Sequence, residues 1–223
     1  MGTDDLFHKR NARRAESHRR KIAKRAPYER ILIVCEGEKT EPLYFHGLRR
    51  QFGLNPVNMV IADKKSGLDP KRLVDYALDL FKKDPTFNHV YCVFDRDKHT
   101  TYAAALNKIR DTRLRGGAKI HAIASVPCFE IWILLHFCYT TRSFEAAGNV
   151  SNCALVVAEL RKKGRIPGYD KGAADVFNLL TGMLDTALVN AKRLAKFHTN
   201  SETDNPSTQV HELVEYLQSL QRA

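Results

Sequence analysis

From Arg30 onward the apolar positions of the chain keep two alternating rhythms. RILIVC (30–35) is an unbroken β-branched and aliphatic run, the mark of a strand covered on both faces. After an acidic turn, EPLYFHGLRRQF has helical spacing, with Thr40 placed to cap it and Pro42 tolerable in its first turn. VNMVIA (57–62) is a second short strand, and SGLDPKRLVDYALDLFKK (66–83) is a helix with Leu73, Ala77, Leu80 and Phe81 on one side. HVYCVFDRD (89–97) is a third strand. Residues 101–114 are helical until Gly116-Gly117 stops them, and KIHAIASV (119–126) is a fourth strand. This alternation predicts an α/β fold, with right-handed crossovers and a mainly parallel four-stranded sheet flanked by helices.

The second half changes rhythm. FEIWILLHF (129–137), NCALVVAELRKK (152–163), a stretch from Ala173 to Phe197, and VHELVEYLQSL (210–220) all have helical spacing. Asn205, Pro206, Ser207 and Thr208 are placed to start and cap the last helix. The organisation expected is a basic arm over 1–29, an α/β core over 30–126 and a helical extension packed on it over 127–223.

Charge alters this otherwise ordinary picture. The 223 residues carry a formal net charge of +11, a surplus that favours an acidic partner, nucleic acid first among them. Much of it lies in residues 1–29, either a flexible arm that orders on a polyanion or a solvated tail. The five cysteines lie singly and without zinc spacing. They are expected as small core residues in a reducing compartment rather than as a disulfide framework. No run approaches the length of a membrane span, and the basic N-terminus lacks the apolar stretch of a secretory signal, so the cytoplasm is the expected location.

The informative acids stand where strands end. The first strand runs into Glu36, Gly37, Glu38 and Glu41, and the third into Asp95 and Asp97. Ligands of a parallel α/β sheet gather beyond the carboxyl ends of its strands. If these two strands are neighbours, Glu36, Asp95 and Asp97 converge and repel one another. A divalent cation relieves that repulsion, and an all-oxygen set suits Mg²⁺ or Mn²⁺. On an extended segment Asp95 and Asp97 share a face while Arg96 points away. Gly37 leaves room for a phosphate or the backbone to approach, or for a tight turn, and Glu41 can return a carboxylate to the same spot. Glu130, an acid opening an apolar helix, needs a partner or serves the helix terminus. His46, His99, His136 and His198 lack paired zinc spacing, and His136 is expected in the core with Trp132 and Phe137.

The order strand–Glu-Gly, then strand–Asp-x-Asp, resembles the Toprim domain of topoisomerases, bacterial primases and OLD-family nucleases, and EGEKTE is closest to the OLD-type form. More narrowly, ILIVCEGEKTEPLYF, VFDRDKH, PCFEIWILLHF and NPSTQVHELVEYL together resemble RloB-like proteins, from Arg30 to Leu220. The resemblance implies a metal-dependent nuclease of prokaryotic anti-phage defence by abortive infection. It would cleave DNA, tRNA or another RNA and work with a separately encoded ATPase. The chain itself holds no Walker-type Gly-x-x-x-x-Gly-Lys-Ser/Thr. By the same resemblance Glu36 is the Toprim glutamate, Asp95 and Asp97 the Asp-x-Asp pair, and Glu41 the second OLD-type glutamate. Ser125 or Glu130 stands for a second-metal ligand, although SVPCFE separates the two more widely than the OLD pattern does. Lys171, in GYDKG, stands for the site lysine. Two ions, Mg²⁺ or Mn²⁺, are then expected, one on Glu36, Asp95 and Glu41 and one on Asp97 and Glu130. The alternative is a non-catalytic nucleic-acid-binding or regulatory subunit with a structural metal. A primase or topoisomerase is disfavoured, because no zinc-binding or tyrosine-bearing domain is evident.

Overall fold

A computed structural model describes residues 29–62, 68–97, 99–145, 148–201 and 203–221. The basic arm, apart from Glu29, lies outside them. Strand β1 (Ile31–Cys35) is buried along its whole length. It lies between β2 (Met59–Ile61) and β3 (His89–Asp95), and β3 is followed by β4 (Lys119–Val126). These three pairings are parallel, with Ile31 opposite both Met59 and His89 and with Asp95 opposite Ser125. Burial on both faces is what the uninterrupted ILIVC run requires.

Parallel neighbours need crossovers, supplied here by α1 (Thr40–Gln51), α2 (Pro70–Lys83) and α3 (Tyr102–Asp111). Helix α2 starts cleanly: Asp69 accepts from Arg72 N at 3.1 Å and Pro70 occupies the first turn. Helix α1 does not start as expected. Thr40 is its first residue, and no side chain caps it from outside.

Side chains alternate across the sheet, so each strand feeds two cores. Leu32, Val34, Val90, Cys92 and Phe94 pack with Leu73, Ala77 and Phe81 of α2 and Ala105 and Ile109 of α3. Ile31, Ile33, Tyr91 and Val93 face a larger core that holds Phe45 of α1 and the whole helical second half. That half comprises α4 (Glu130–Leu135), α5 (Asn152–Leu160), α6 (Val176–Leu180), α7 (Leu184–His198) and α8 (Val210–Gln221). Trp132, Leu194 and Leu217 share one cluster with the sheet residues, so the helices are packed on the sheet.

The structure corrects three expectations. The helix expected from Ala173 to Phe197 is broken into α6, one 3₁₀ turn at Thr181–Met183, and α7. Gly182 sits at the break, where its low helix propensity counts. The sheet has five strands, because Ser207–Thr208 form β5, antiparallel to Ser125 and Val126. Pro206 biases the residue before it away from helix, and Gln209 extends the pairing by exchanging bonds with Ala124. Thr208 still serves the helix that follows, accepting from Val210 N at 3.2 Å. Finally, Cys128 and Cys153 form a disulfide, with Cα atoms 5.7 Å apart, inside the usual span for such a bond. They are 25 residues apart in sequence, and the packing of α4 on α5 brings them together, which spacing alone does not reveal. Cys35, Cys92 and Cys138 are not bonded. Among the described residues, no helix is long and apolar enough to cross a membrane.

Candidate functional site

The two acidic strand ends are neighbours. β1 ends opposite Val93, and Glu36 N donates to Val93 O at 2.9 Å as the chain leaves the sheet. Glu36 then turns toward β3, its Oε2 accepting from Asp95 N at 3.0 Å. Its Oε1 lies 2.8 Å from His99 Nε2. Glu41, in the first turn of α1, is buried, and its Oε1 accepts from Gly37 N at 3.1 Å. A Cβ on Gly37 would stand 1.7 Å from Glu41 Oε2, so only glycine lets the carboxylate occupy this place.

Asp95 closes β3, but the Asp-x-Asp pair does not continue as an extended segment. Asp97 has φ +28, a left-handed conformation that Asp tolerates better than most residues. Two bonds to the end of β4 hold this turn: Arg96 N to Ser125 O at 2.9 Å and Asp97 N to Pro127 O at 3.0 Å. Arg96 pairs with Asp204. Asp97 therefore reaches the site through a turn rather than through strand alternation. Its Oδ1 is buried and has no hydrogen-bond partner among the described residues.

Glu130 enters from the far side as the first residue of α4, 2% exposed. Tyr169 OH donates to its Oε1 at 3.1 Å, Lys171 Nζ lies 3.3 Å from the same oxygen, and Cys153 Sγ lies 3.2 Å from Oε2. Lys171 is half exposed. The next residue, Gly172, has φ +77, and a Cβ there would stand 2.6 Å from Lys39 Cβ. The structure thus brings Glu36, Glu41, Asp95, Asp97, Glu130 and Lys171 to the wall of one cavity of about 360 Å³, shared with Lys39 and His99.

Burial, and then the neighbouring carboxylates, raise the proton affinity of Glu36, Glu41 and Asp95. Enclosure by protein pushes Asp95 well above the ordinary carboxylate range, Glu41, Glu130 and Glu36 push further, and Lys171 opposes them. Glu41 is pushed up to about 7, first by burial and then by Glu130 and Glu36, against backbone N–H bonds that favour its charge. Burial also raises Glu36, opposed by Asp95 N–H and by His99. These groups either take up protons or share a cation. An all-oxygen donor set, a buried unpaired Asp97 oxygen and carboxylates that resist full ionisation fit a hard divalent cation.

Other candidates separate cleanly. Ser125 is absent from the cavity wall; its Oγ bonds Thr208 Oγ1 at 2.9 Å, 1% exposed. His136 is buried in the core, with Nδ1 2.9 Å from Trp132 O. Buried Cys128, Glu130 and Cys153 have ligand atoms within 4.8 Å of one another, but both sulfurs are taken by the disulfide. Sequence reasoning missed two contributors. His99 was set aside for lacking zinc spacing, although it follows the Asp-x-Asp pair within one turn. Tyr169 stands two residues before Lys171 in the same GYDKG loop.

The family model described as RloB-like protein matches residues 31–217, a span that contains every carboxylate of this cavity. No curated protein and no solved structure matches the chain.

Proposed function

The chain belongs to the RloB-like family, and from that premise we propose that it is a divalent-metal-dependent nuclease hydrolysing phosphodiester bonds of DNA or RNA. The observation that carries the reading is the convergence of Glu36, Glu41, Asp95, Asp97 and Glu130 on one cavity, with a buried Asp97 oxygen that has no partner among the described residues. Glu36, Glu41 and Asp95 would hold one Mg²⁺ or Mn²⁺, and Asp97 and Glu130 a second. Bound there, such cations supply the positive charge that a phosphodiester needs to enter an acidic cavity and the polarisation that opens it to water.

The chain's own residues prepare this site. Asp95 N–H and His99 fix the two oxygens of Glu36. Gly37 N–H fixes Glu41, and Tyr169 fixes Glu130. Lys171, half exposed and paired with Glu130, is placed to neutralise charge growing on phosphoryl oxygens. The net charge of +11 draws the polyanion to the protein. A role in abortive infection beside a separate ATPase belongs to the same proposal.

The test incubates purified protein with plasmid DNA and total tRNA in Mg²⁺ or Mn²⁺, then in EDTA, beside Asp95→Ala. Cleavage should need the cation and vanish in the variant while its melting curve stays cooperative. Cleavage that survives EDTA, or that Asp95→Ala retains, overturns the assignment. Salt-sensitive binding without cleavage in any condition, with or without the ATPase, would instead favour a nucleic-acid-binding subunit.

A further inference from the structure

The acidic cavity has a covalent neighbour. Cys128, in the turn between β4 and α4, is bonded to Cys153 in the first turn of α5. Glu130 lies two residues beyond Cys128, and its Oε2 is 3.2 Å from Cys153 Sγ. The other oxygen of Glu130 is held by Tyr169 and Lys171. One carboxylate therefore lines the acidic cavity while touching a disulfide sulfur.

We propose that Cys128–Cys153 is a reversible redox latch on Glu130, and that the disulfide form is the one that binds the divalent cation well. The inference rests on the cation-site reading above. In the disulfide, Cys153 carries no proton, so Glu130 Oε2 receives nothing from sulfur and stays available to a cation. Reduction breaks the S–S bond and adds two electrons and two protons. A dithiol reagent supplies both and leaves as its own cyclic disulfide. Cys153 then has an S–H within reach of Oε2, a weak donor that competes with the cation for the same oxygen. The same step unfastens α5 from the β4–α4 turn, loosening the wall on which Glu130 is mounted. Both effects weaken cation binding. The reverse step needs a two-electron oxidant: hydrogen peroxide takes two electrons and two protons from the thiol pair and leaves as two waters. Cys128 and Cys153 are 1% and 5% exposed, so exchange with thiol reagents is slow and a small oxidant has the advantage.

The full-length protein is prepared in two states, one treated with peroxide and one equilibrated with dithiothreitol that is then removed without air. Thiols are counted after denaturation. Three are expected in the oxidised state, Cys35, Cys92 and Cys138, and all five after reduction. Mn²⁺ binding is measured by calorimetry, and amide exchange is followed across 152–160 and 169–172. Reduction should weaken Mn²⁺ about fivefold, the scale of one weak hydrogen bond to a carboxylate, and speed exchange in both segments. Cys128→Ser should bind like the reduced protein whether or not peroxide is added. Five thiols after peroxide, or Mn²⁺ bound measurably and with equal affinity in the two states, overturns the latch and leaves the cation site standing. Faster exchange on reduction with Mn²⁺ bound in neither state overturns the cation site and leaves the latch on Glu130. Zinc held one-to-one by the reduced chain would also overturn the latch, making Cys128, Glu130 and Cys153 a soft-metal site instead.

Discussion

The charge on Glu41 is the sharpest handle on the cavity. Its carboxyl is raised from 4.5 to about 7 in the folded chain. Between those values the folded state holds a proton that the unfolded state has released, so stability falls as pH rises through the window. The gap is worth at most about 3 kcal/mol. Asp95 and Glu36 are raised as well and act in the same direction. Histidines act against it: burial lowers His121 and His136 to about 4, which makes stability rise as pH climbs from there toward 6.5. A bare pH profile therefore mixes two signs, and the measurement must be a difference. Glu41→Gln keeps the shape of the protonated acid and cannot ionise. In EDTA at pH 5 it should melt within about 2 °C of wild type. At pH 8 it should melt about 6–10 °C higher, since ~3 kcal/mol shifts a chain of this size by that much. Millimolar Mg²⁺ should erase the advantage by stabilising the wild type, because the cation replaces the proton. The reasoning is refuted if the difference is flat across pH 5–8 in EDTA, or if wild type is the more stable protein at pH 8 without metal.

Three further outcomes follow from named contacts. Gly37→Ala drives a methyl into the Glu41 carboxylate and should weaken Mn²⁺ by at least about tenfold in calorimetry, a loss of ~1.4 kcal/mol; Gly168→Ala, with open space around its Cβ, is the control and should change nothing. Asp97→Asn removes the charge of a carboxylate whose buried Oδ1 has no partner among the described residues and should cost about tenfold or more in Mn²⁺ affinity, while the melting point in EDTA holds or rises; a lower melting point would mean that Asp97 is structural. Phe45→Ala, at a fully buried position where α1 meets the sheet, should cost about 3–5 kcal/mol in urea unfolding, and a loss below ~1 kcal/mol would show that this core is not packed as described.

Much of the site was legible because the signal was regional. β1 and β3 are apolar runs that each end in acids; the sequence leaves their adjacency as a condition, and because the strands do pair, Glu36 and Asp95 meet. The parts that escaped are those with no periodicity to read. β5 is two residues long, too short for any alternation, and it exists because Ser125, Thr208 and Gln209 find one another across more than 80 residues. The Cys128–Cys153 pair depends on how α4 and α5 pack, a tertiary fact. The Asp-x-Asp segment reaches the cavity by a route other than strand alternation: the strand stops at Asp95, and the left-handed turn at Asp97, pinned to Pro127 O, brings the second carboxylate to the wall.

The same geometry explains how a basic chain tolerates an acidic centre, and it sets an order of events. On the proposed function the net charge of +11 attracts a polyanion from a distance, but without a cation the cavity presents it with carboxylates, countered among the described residues by Lys171, Lys39 and His99. A phosphodiester entering alone would add negative charge to a place already short of cations. A cation entering alone gains the carboxylates, and leaves a site that now welcomes phosphate. On the proposed function the two ligands are coupled, and the coupling is reciprocal: whatever factor a cation adds to oligonucleotide affinity, the oligonucleotide adds to cation affinity. A non-cleaved phosphorothioate oligonucleotide titrated with and without Ca²⁺, and Ca²⁺ titrated with and without the oligonucleotide, should return the same factor, about tenfold or more for a coupling of ~1.4 kcal/mol. A factor of one in both titrations would mean that nucleic acid rides on the basic surface and never reaches Glu36, Asp95 and Asp97.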